Sequence, residues 1–350
     1  GRCRVEDLSA GGRVLVVGKI DQRVRRKADG ARFIRDFKTT ANLNDIHKTL
    51  QMNEQFILYE LEKALWLAKE GRPGPVVIDF PDDIQRAEVD ESMLQHFHPP
   101  KSGSTEWQGF FDAKRPVIAL GWGVHLSGGR EIARAMIDRI GVPCVTTWGA
   151  ADIMAGHPLY VGTWGTHGVR AANFAIQKAD LVLAIGTRLD TKATGSPASS
   201  FAPNAKLVMV DVDRAELDKM AKIGRPCETI LTDAKRFMAS MKEAGDYRPW
   251  IELVQQWKMD FPAVLPEYPW NNPYRIMEQL GEHLSPDDVL VSDTGCPLAW
   301  AMQVLPFRGR FIHAFNQTPM GYGLGGAIGA AGEHKGRTIL ITGDGGLSEC

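Results

Sequence analysis

Cysteine is scarce in these 350 residues. The five present, Cys3, Cys144, Cys227, Cys296 and Cys350, are odd in number and widely scattered. No CxxC pair occurs, which excludes a zinc ribbon and a disulfide framework and makes a reduced, cytoplasmic protein the expectation. An excess of charge of either sign is also missing, with 41 Lys and Arg against 42 Asp and Glu and a net charge of -1. That balance provides neither a basic stripe for nucleic acid nor an acidic tail. No apolar run reaches the roughly 18–20 residues of a membrane span. The opening "GRCRVEDLSA" lacks the apolar core of a secretory signal, so no membrane partner and no secretion are expected. Short-period repeats and low-complexity stretches are absent. What remains is ordinary globular composition, 44% hydrophobic and 24% charged, long enough for two or three domains of about 100–200 residues.

Three blocks are predicted along the chain. The first covers 1–90 and carries an apolar strand, "RVLVVGKI", and the segment "FILYELEKALWLAKEG". In that segment Leu58, Leu61, Ala64, Leu65 and Ala68 recur at helical spacing. Gly71 ends the helix, and "GPVVIDFP" reads as a buried strand closed by Pro81. A linker is expected over 91–112. The second block, 113–245, alternates the strands "PVIALGWG", "PCVTTW", "ADLVLAIGT" and "AKLVMVDVD" with helical patterns such as "GREIARAMIDRIG" and "GVRAANFAIQKA". Short apolar strands alternating with helices imply a parallel sheet covered on both faces, a Rossmann-like α/β class. A second linker, 246–272, precedes the third block, 273–350, which runs from "IMEQLGEHL" through "DVLVSDTG" and "MGYGLGGAIGAAG" to "TILITGDGG".

Strand ends carry the candidate chemistry, because ligands of open parallel sheets bind at the carboxyl ends of strands. In Gly343-Asp344-Gly345-Gly346 the glycines permit close backbone approach to a ligand, and Asp344 offers the hard oxygen that magnesium prefers. Taken alone, the same residues read equally as a tight turn with a solvated aspartate. Asp293-Thr294-Gly295 supplies a second loop, either for a diphosphate or as a cap on the following helix by Asp293. The glycines Gly321, Gly323, Gly325, Gly326 and Gly329 let a helix pack very close to a neighbour. Met320, just before it, is an adaptable apolar group suited to supporting a ring.

The ordered set "GRPGPVVIDFPDDIQ", "RPVIALGWG", "HPLYVGTWGTHGVRAANFAIQKADLVLAIGTRLD", "VMVDVD", "SDTG", "TPMGYGLGGAIGA" and "ITGDGG" resembles thiamine-diphosphate enzymes of the acetolactate synthase large-subunit type. The resemblance runs from about Arg13 to the end. It implies three α/β domains: a pyrimidine-binding domain of which 1–90 is the last part, a central FAD-binding-like domain, and a diphosphate-binding domain of which 273–350 is the beginning. The chain is therefore expected to be a fragment lacking both ends and inactive by itself. On this resemblance the catalytic glutamate precedes the chain, and Glu6, Glu54 and Glu60 do not stand in matching contexts. Asp344 matches the magnesium ligand, Gly343, Gly345 and Gly346 shape its loop, and Gly295 matches a diphosphate-loop glycine. Cys296-Pro297 stand where the family has Gln-His. Thr318 would present its carbonyl to the aminopyrimidine and Met320 would prop the bent cofactor. For FAD, the matching positions are Gly121, Gly123, His167, Gly168, Arg188 and Asp211, with Trp122 replacing a middle glycine.

The activity so implied is decarboxylation of a 2-oxo acid such as pyruvate with carbon–carbon bond formation, as in branched-chain amino acid biosynthesis. Thiamine diphosphate, Mg2+ and FAD are the implied cofactors, and a homodimer or tetramer the full-length assembly. The alternative is a non-catalytic FAD- or nucleotide-binding protein built on the central domain.

Overall fold

The computed structural model describes residues 112–242, 245–314 and 317–349, a helix over 58–69, short strand pairs, residues 94–99, and a few others between 72 and 110. The chain divides into two compact units, 1–104 with 212–215, and 105–211 with 216–350. In the first unit, Leu15–Val16 pairs in parallel with Val77–Ile78, and Arg25–Arg26 pairs antiparallel with Arg32–Phe33. The predicted helix is present over 58–69. Ala64 of the expected stripe is buried, but Leu65 is 51% exposed and Glu60, outside the stripe, is buried; Leu67 packs against Ala64 with Val76 and Ile78. The rest of the first block's expected strands, and Glu6 and Glu54, lie outside the described residues.

The second unit holds two parallel sheets. The larger contains β1 (Pro116–Leu120), β2 (Cys144–Thr146), β3 (Tyr160–Thr163), β4 (Leu181–Ile185), β5 (Lys206–Asp211) and β6 (Glu228–Leu231). Its order is β6-β5-β4-β1-β2-β3, with every neighbouring pair parallel. Every residue of β1 and β4 is buried, which requires cover on both faces and explains their unbroken apolar runs. Helices α1 (Arg130–Ile140), α2 (Arg170–Lys178) and α3 (Arg214–Lys222) lie between the strands, and α4 (Ala234–Ser240) follows β6. Helix α1 buries Ala133, Met136, Ile137 and Ile140, and Gly141 ends it at φ 67 in the left-handed region that glycine adopts freely. The strand order reverses between β1 and β4, and the crevice at their carboxyl ends is the topological switch point.

Helix α5 (Arg248–Asp260) occupies the first half of the expected 246–272 linker. Trp250 anchors it, donating from its indole N–H to the Pro116 carbonyl at 2.9 Å. After it come α6 (Pro273–Glu282), β7 (Val289–Ser292), α7 (Cys296–Val304), β8 (Arg310–His313), α8 (Tyr322–Glu333), β9 (Thr338–Ile341) and the short α9 (Asp344–Ser348). The three strands form a parallel sheet in the order β8-β7-β9. The parallel α/β class predicted from the sequence is the one observed.

Leu183 lies fully buried at the centre of β4. Its truncation to alanine removes buried apolar area and leaves a cavity, so Leu183→Ala is expected to cost about 2–5 kcal/mol in denaturant unfolding. A loss below about 1 kcal/mol would contradict this placement of β4.

Candidate functional site

Because β7, β8 and β9 are parallel, the segments that follow them emerge on one edge of their sheet. Asp293, immediately after β7, is 1% exposed. Its carboxylate accepts N–H bonds from Gly321 at 3.0 Å, Gly323 at 3.3 Å and Thr294 at 2.7 Å. The third loop is drawn in as well, since a Cβ on Gly346 would lie 2.6 Å from Asp293 Oδ2. Asp293 therefore joins the segments after all three strands. It caps α8 and not α7, whose own N-cap is Gly295 at φ 100 with no side-chain bond. Satisfying the free N–H groups at the start of α8 accounts for a carboxylate at so buried a position.

The same edge collects the predicted cofactor residues of the third block. Asp344 is exposed and opens α9, with Gly343 as N-cap. Met320, 48% exposed, abuts this loop: a Cβ on Gly345 would stand 2.9 Å from Met320 Cε. Thr318 has φ 48, an orientation that costs a β-branched residue of order 1–3 kcal/mol. Its N–H donates to the Ala314 carbonyl at 2.8 Å. Of the α8 glycines, Gly323 makes the expected close approach. A Cβ there would lie 2.9 Å from Asp293 Cβ and from Leu340 Cδ1, whereas Gly325 and Gly329 face open space. Among the described residues no group of three or more His, Cys, Asp or Glu is placed to hold a metal, so Asp344 contributes a single carboxylate. An exposed oxygen donor beside the open space at Gly343, with an apolar side chain alongside, fits one end of a magnesium–diphosphate group.

The predicted FAD residues lie around the larger sheet. Gly121 and Gly123 meet Gly186 at the switch point: their N–H groups donate to the Ile185 carbonyl at 2.9 Å and the Gly186 carbonyl at 2.8 Å. Arg188 pairs with Glu216 at 2.8 Å, and Lys219 reaches the same carboxylate at 2.6 Å. The His167 ring packs on Trp148 with centroids 5.3 Å apart, and its carbonyl accepts from Gln303. Gly168 N–H donates to the Gly165 carbonyl, and the Asp211 carbonyl accepts from Thr232.

A buried cluster beside this crevice had no sequence signal. Asp152 accepts from His125 Nε2 at 2.7 Å and from the Phe311 N–H at 3.2 Å. The guanidinium groups of Arg310 and Arg130 lie 3.5 and 3.8 Å from its carboxylate. Burial alone would raise its carboxyl, but the bond and charge of His125, the Phe311 amide and Arg130 outweigh it and hold the group below the ordinary range. His313 faces Trp148, Asp152, Arg310 and His125. Removal from water pushes its imidazole down to about 4, against the opposing pull of the Trp148 backbone and Asp152. In the first unit, burial raises the carboxyl of Glu60, partly countered by Lys63.

These loops and sheets define a class, a parallel α/β protein with glycine-rich loops at the carboxyl ends of its strands. Residues 110–241 match the family described as "Thiamine pyrophosphate enzyme, central domain", and 293–350 match "Thiamine pyrophosphate enzyme, C-terminal TPP binding domain". The chain is 33% identical over 304 residues to the acetolactate synthase large subunit of Lactococcus lactis, an alignment covering 81% of this chain and 52% of that one. It is 32% identical to the acetolactate synthase large subunit of Corynebacterium glutamicum, with coverage of 85% and 51%. It is 31% identical to the acetolactate synthase isozyme 1 large subunit of Escherichia coli, with coverage of 82% and 53%. The chain belongs to the thiamine pyrophosphate enzyme family, among proteins similar to acetolactate synthase large subunits. It spans about half the length of these relatives.

Acid should destabilise this unit through two groups. His313 is neutral in the fold, while an unfolded histidine protonates near 6.5. The unfolded chain thus binds the extra proton as pH falls from 6.5 to about 4, and stability is lost over that window. Asp152 adds stability above its ordinary value of 3.8, which disappears as pH falls through its lower folded value. Melting temperature followed across the higher window should fall with pH, and His313→Phe should flatten that slope; an unchanged slope would contradict the assignment. Separately, Asp293→Ala strips the acceptor from two N–H groups of α8 and should cost about 1–3 kcal/mol in denaturant unfolding. Asp293→Asn, which keeps one acceptor oxygen, should lose less.

Proposed function

We propose that the chain is part of a thiamine-diphosphate-dependent carboligase or decarboxylase acting on a 2-oxo acid such as pyruvate, with acetolactate formation the reaction its relatives suggest. The observation that carries this reading is the convergence of Asp344, Met320 and Thr318 on one sheet edge around the buried Asp293. Asp344 would hold Mg2+ through its exposed carboxylate, with Gly343, Gly345 and Gly346 admitting a diphosphate to the loop. Gly295, at φ 100 before α7, would turn the second diphosphate loop. When bound, the cofactor supplies the carbanion-stabilising ring, and the protein's part is to bind, orient and shield it. Met320 offers an apolar support for that ring, and the carbonyl of Thr318 a hydrogen-bond acceptor.

The proposal extends to a homodimer or tetramer of the full-length protein. A reducing cytoplasm suits the free Cys144, Cys227 and Cys296. No described helix is long and apolar enough to cross a membrane.

Calorimetric titration of the full-length gene product with thiamine diphosphate should show binding that requires magnesium. Asp344→Asn should weaken it about ten-fold or more. Binding that is indifferent to magnesium, or undiminished by the substitution, would sink the site assignment. Carbon dioxide release from pyruvate tests the substrate class.

A further inference from the structure

A dinucleotide held at a topological switch point lays its diphosphate against free backbone N–H groups at the first strand–helix turn. Here four of the five N–H groups from Gly121 to His125 are engaged internally. Beyond the bonds of Gly121 and Gly123 to Ile185 and Gly186, Val124 N–H donates to the Gly121 carbonyl and His125 N–H to the Trp122 carbonyl. The glycines admit a neighbouring loop instead of a ligand. A Cβ on Gly121 would fall 2.3 Å from the Gly186 carbonyl oxygen, and one on Gly123 2.7 Å from Gly186 Cα. The helix that follows, Gly123–Leu126, has four residues and lacks the aligned peptides of a long dipole.

Side chains from the third block then stand over the turn. The Arg310 guanidinium lies 4.7 Å from the centre of the Trp122 ring, a cation–π distance. The indole also packs on His125, with centroids 5.0 Å apart, and comes within 3.3 Å of where a Cβ on Gly149 would sit. Below it, Asp152 gathers His125 and Arg130 from the central domain and Arg310 and the Phe311 amide from β8. Arg130 bonds the carbonyls of Arg308 and Gly309 directly. Trp148, from the turn after β2, is 8% exposed and packs in the third block's apolar cluster with Leu290, Leu298 and Met302. Arg188, the cation that would face a dinucleotide phosphate, is held by Glu216.

We infer that the switch-point crevice of this protein is a domain clamp, with Trp122, Arg310 and Asp152 fastening the central domain to the diphosphate-binding domain where a flavin would otherwise lie. The residues present do not fit FAD. The cofactor the family resemblance implies is replaced by a stacked Trp–Arg pair over a buried carboxylate. This inference does not rest on the carboligase reading, because it concerns a different sheet and a different ligand.

Two measurements on the full-length protein test it. As purified it should carry no flavin absorbance, and titration with FAD should give no saturable quenching of its tryptophan fluorescence. One tightly held flavin per chain would overturn the inference. In scanning calorimetry the clamp predicts that the two domains unfold in one transition. Arg310→Ala and, separately, Trp122→Ala should resolve that transition into two, while Arg310→Lys, which keeps a cation over the indole, should restore it. A single transition at unchanged temperature in both alanine variants would overturn the clamp. If either alanine variant fails to fold, the flavin titration of the unaltered protein still decides.

Discussion

Removing a carboxylate from water is costly unless cations and N–H groups surround it, and Asp152 is where this molecule meets that cost. Its neighbours come from two directions, His125 and Arg130 from the larger sheet's helices, Arg310 and the Phe311 amide from β8. A buried charge of this kind tolerates few arrangements, because losing any partner strands the others in a poor medium for charge. The consequence is directional. Apolar packing of Trp148 against Leu298 and Met302 favours contact between the domains but permits many orientations. The bonds to Asp152 select one of them.

Asp293 repeats the same physics at the other sheet. It too is a buried acid answered by backbone N–H groups, at Thr294, Gly321 and Gly323. Its effect is to hold the loops after β7, β8 and β9 in register, so that Met320 meets the Gly345 turn. Asp344, Met320 and Thr318, proposed to touch magnesium and the cofactor, are exposed, while the group that arranges them is buried. Such a division keeps the Asp344 carboxylate in water and the Asp293 framework out of it.

Much of the fold was legible. The strands β1 and β4 are unbroken apolar runs, and α1 repeats its apolar residues at helical spacing up to a terminating glycine. Strand β3 gives no clear strand pattern because Gly162 interrupts it, and β6 gives none because its edge position leaves it largely exposed. Helix α5 was read as linker, although Trp250 and Val254 are buried at its four-residue spacing. At the candidate sites, Gly343 to Gly346 and Met320 were readable as a local motif. Asp152 was not, since its partners lie 27 and 159 residues away. Gly121 and Gly123 match ligand glycines in the sequence, but the atoms nearest their missing side chains belong to Gly186 and Thr187.

By itself the sequence determined the class of fold, a pair of parallel sheets with loops at their carboxyl ends, because strand burial and helix periodicity are written into neighbouring residues. It also set glycines on either side of Asp344, whose carboxylate the fold leaves exposed. Only the tertiary structure decided what the glycines at the larger sheet's switch point are for. A glycine in a chain records that a side chain is not tolerated there, but what occupies the vacated space is a fact of three dimensions. Here that space is filled by the molecule's own backbone, with Trp122 and Arg310 stacked beside it.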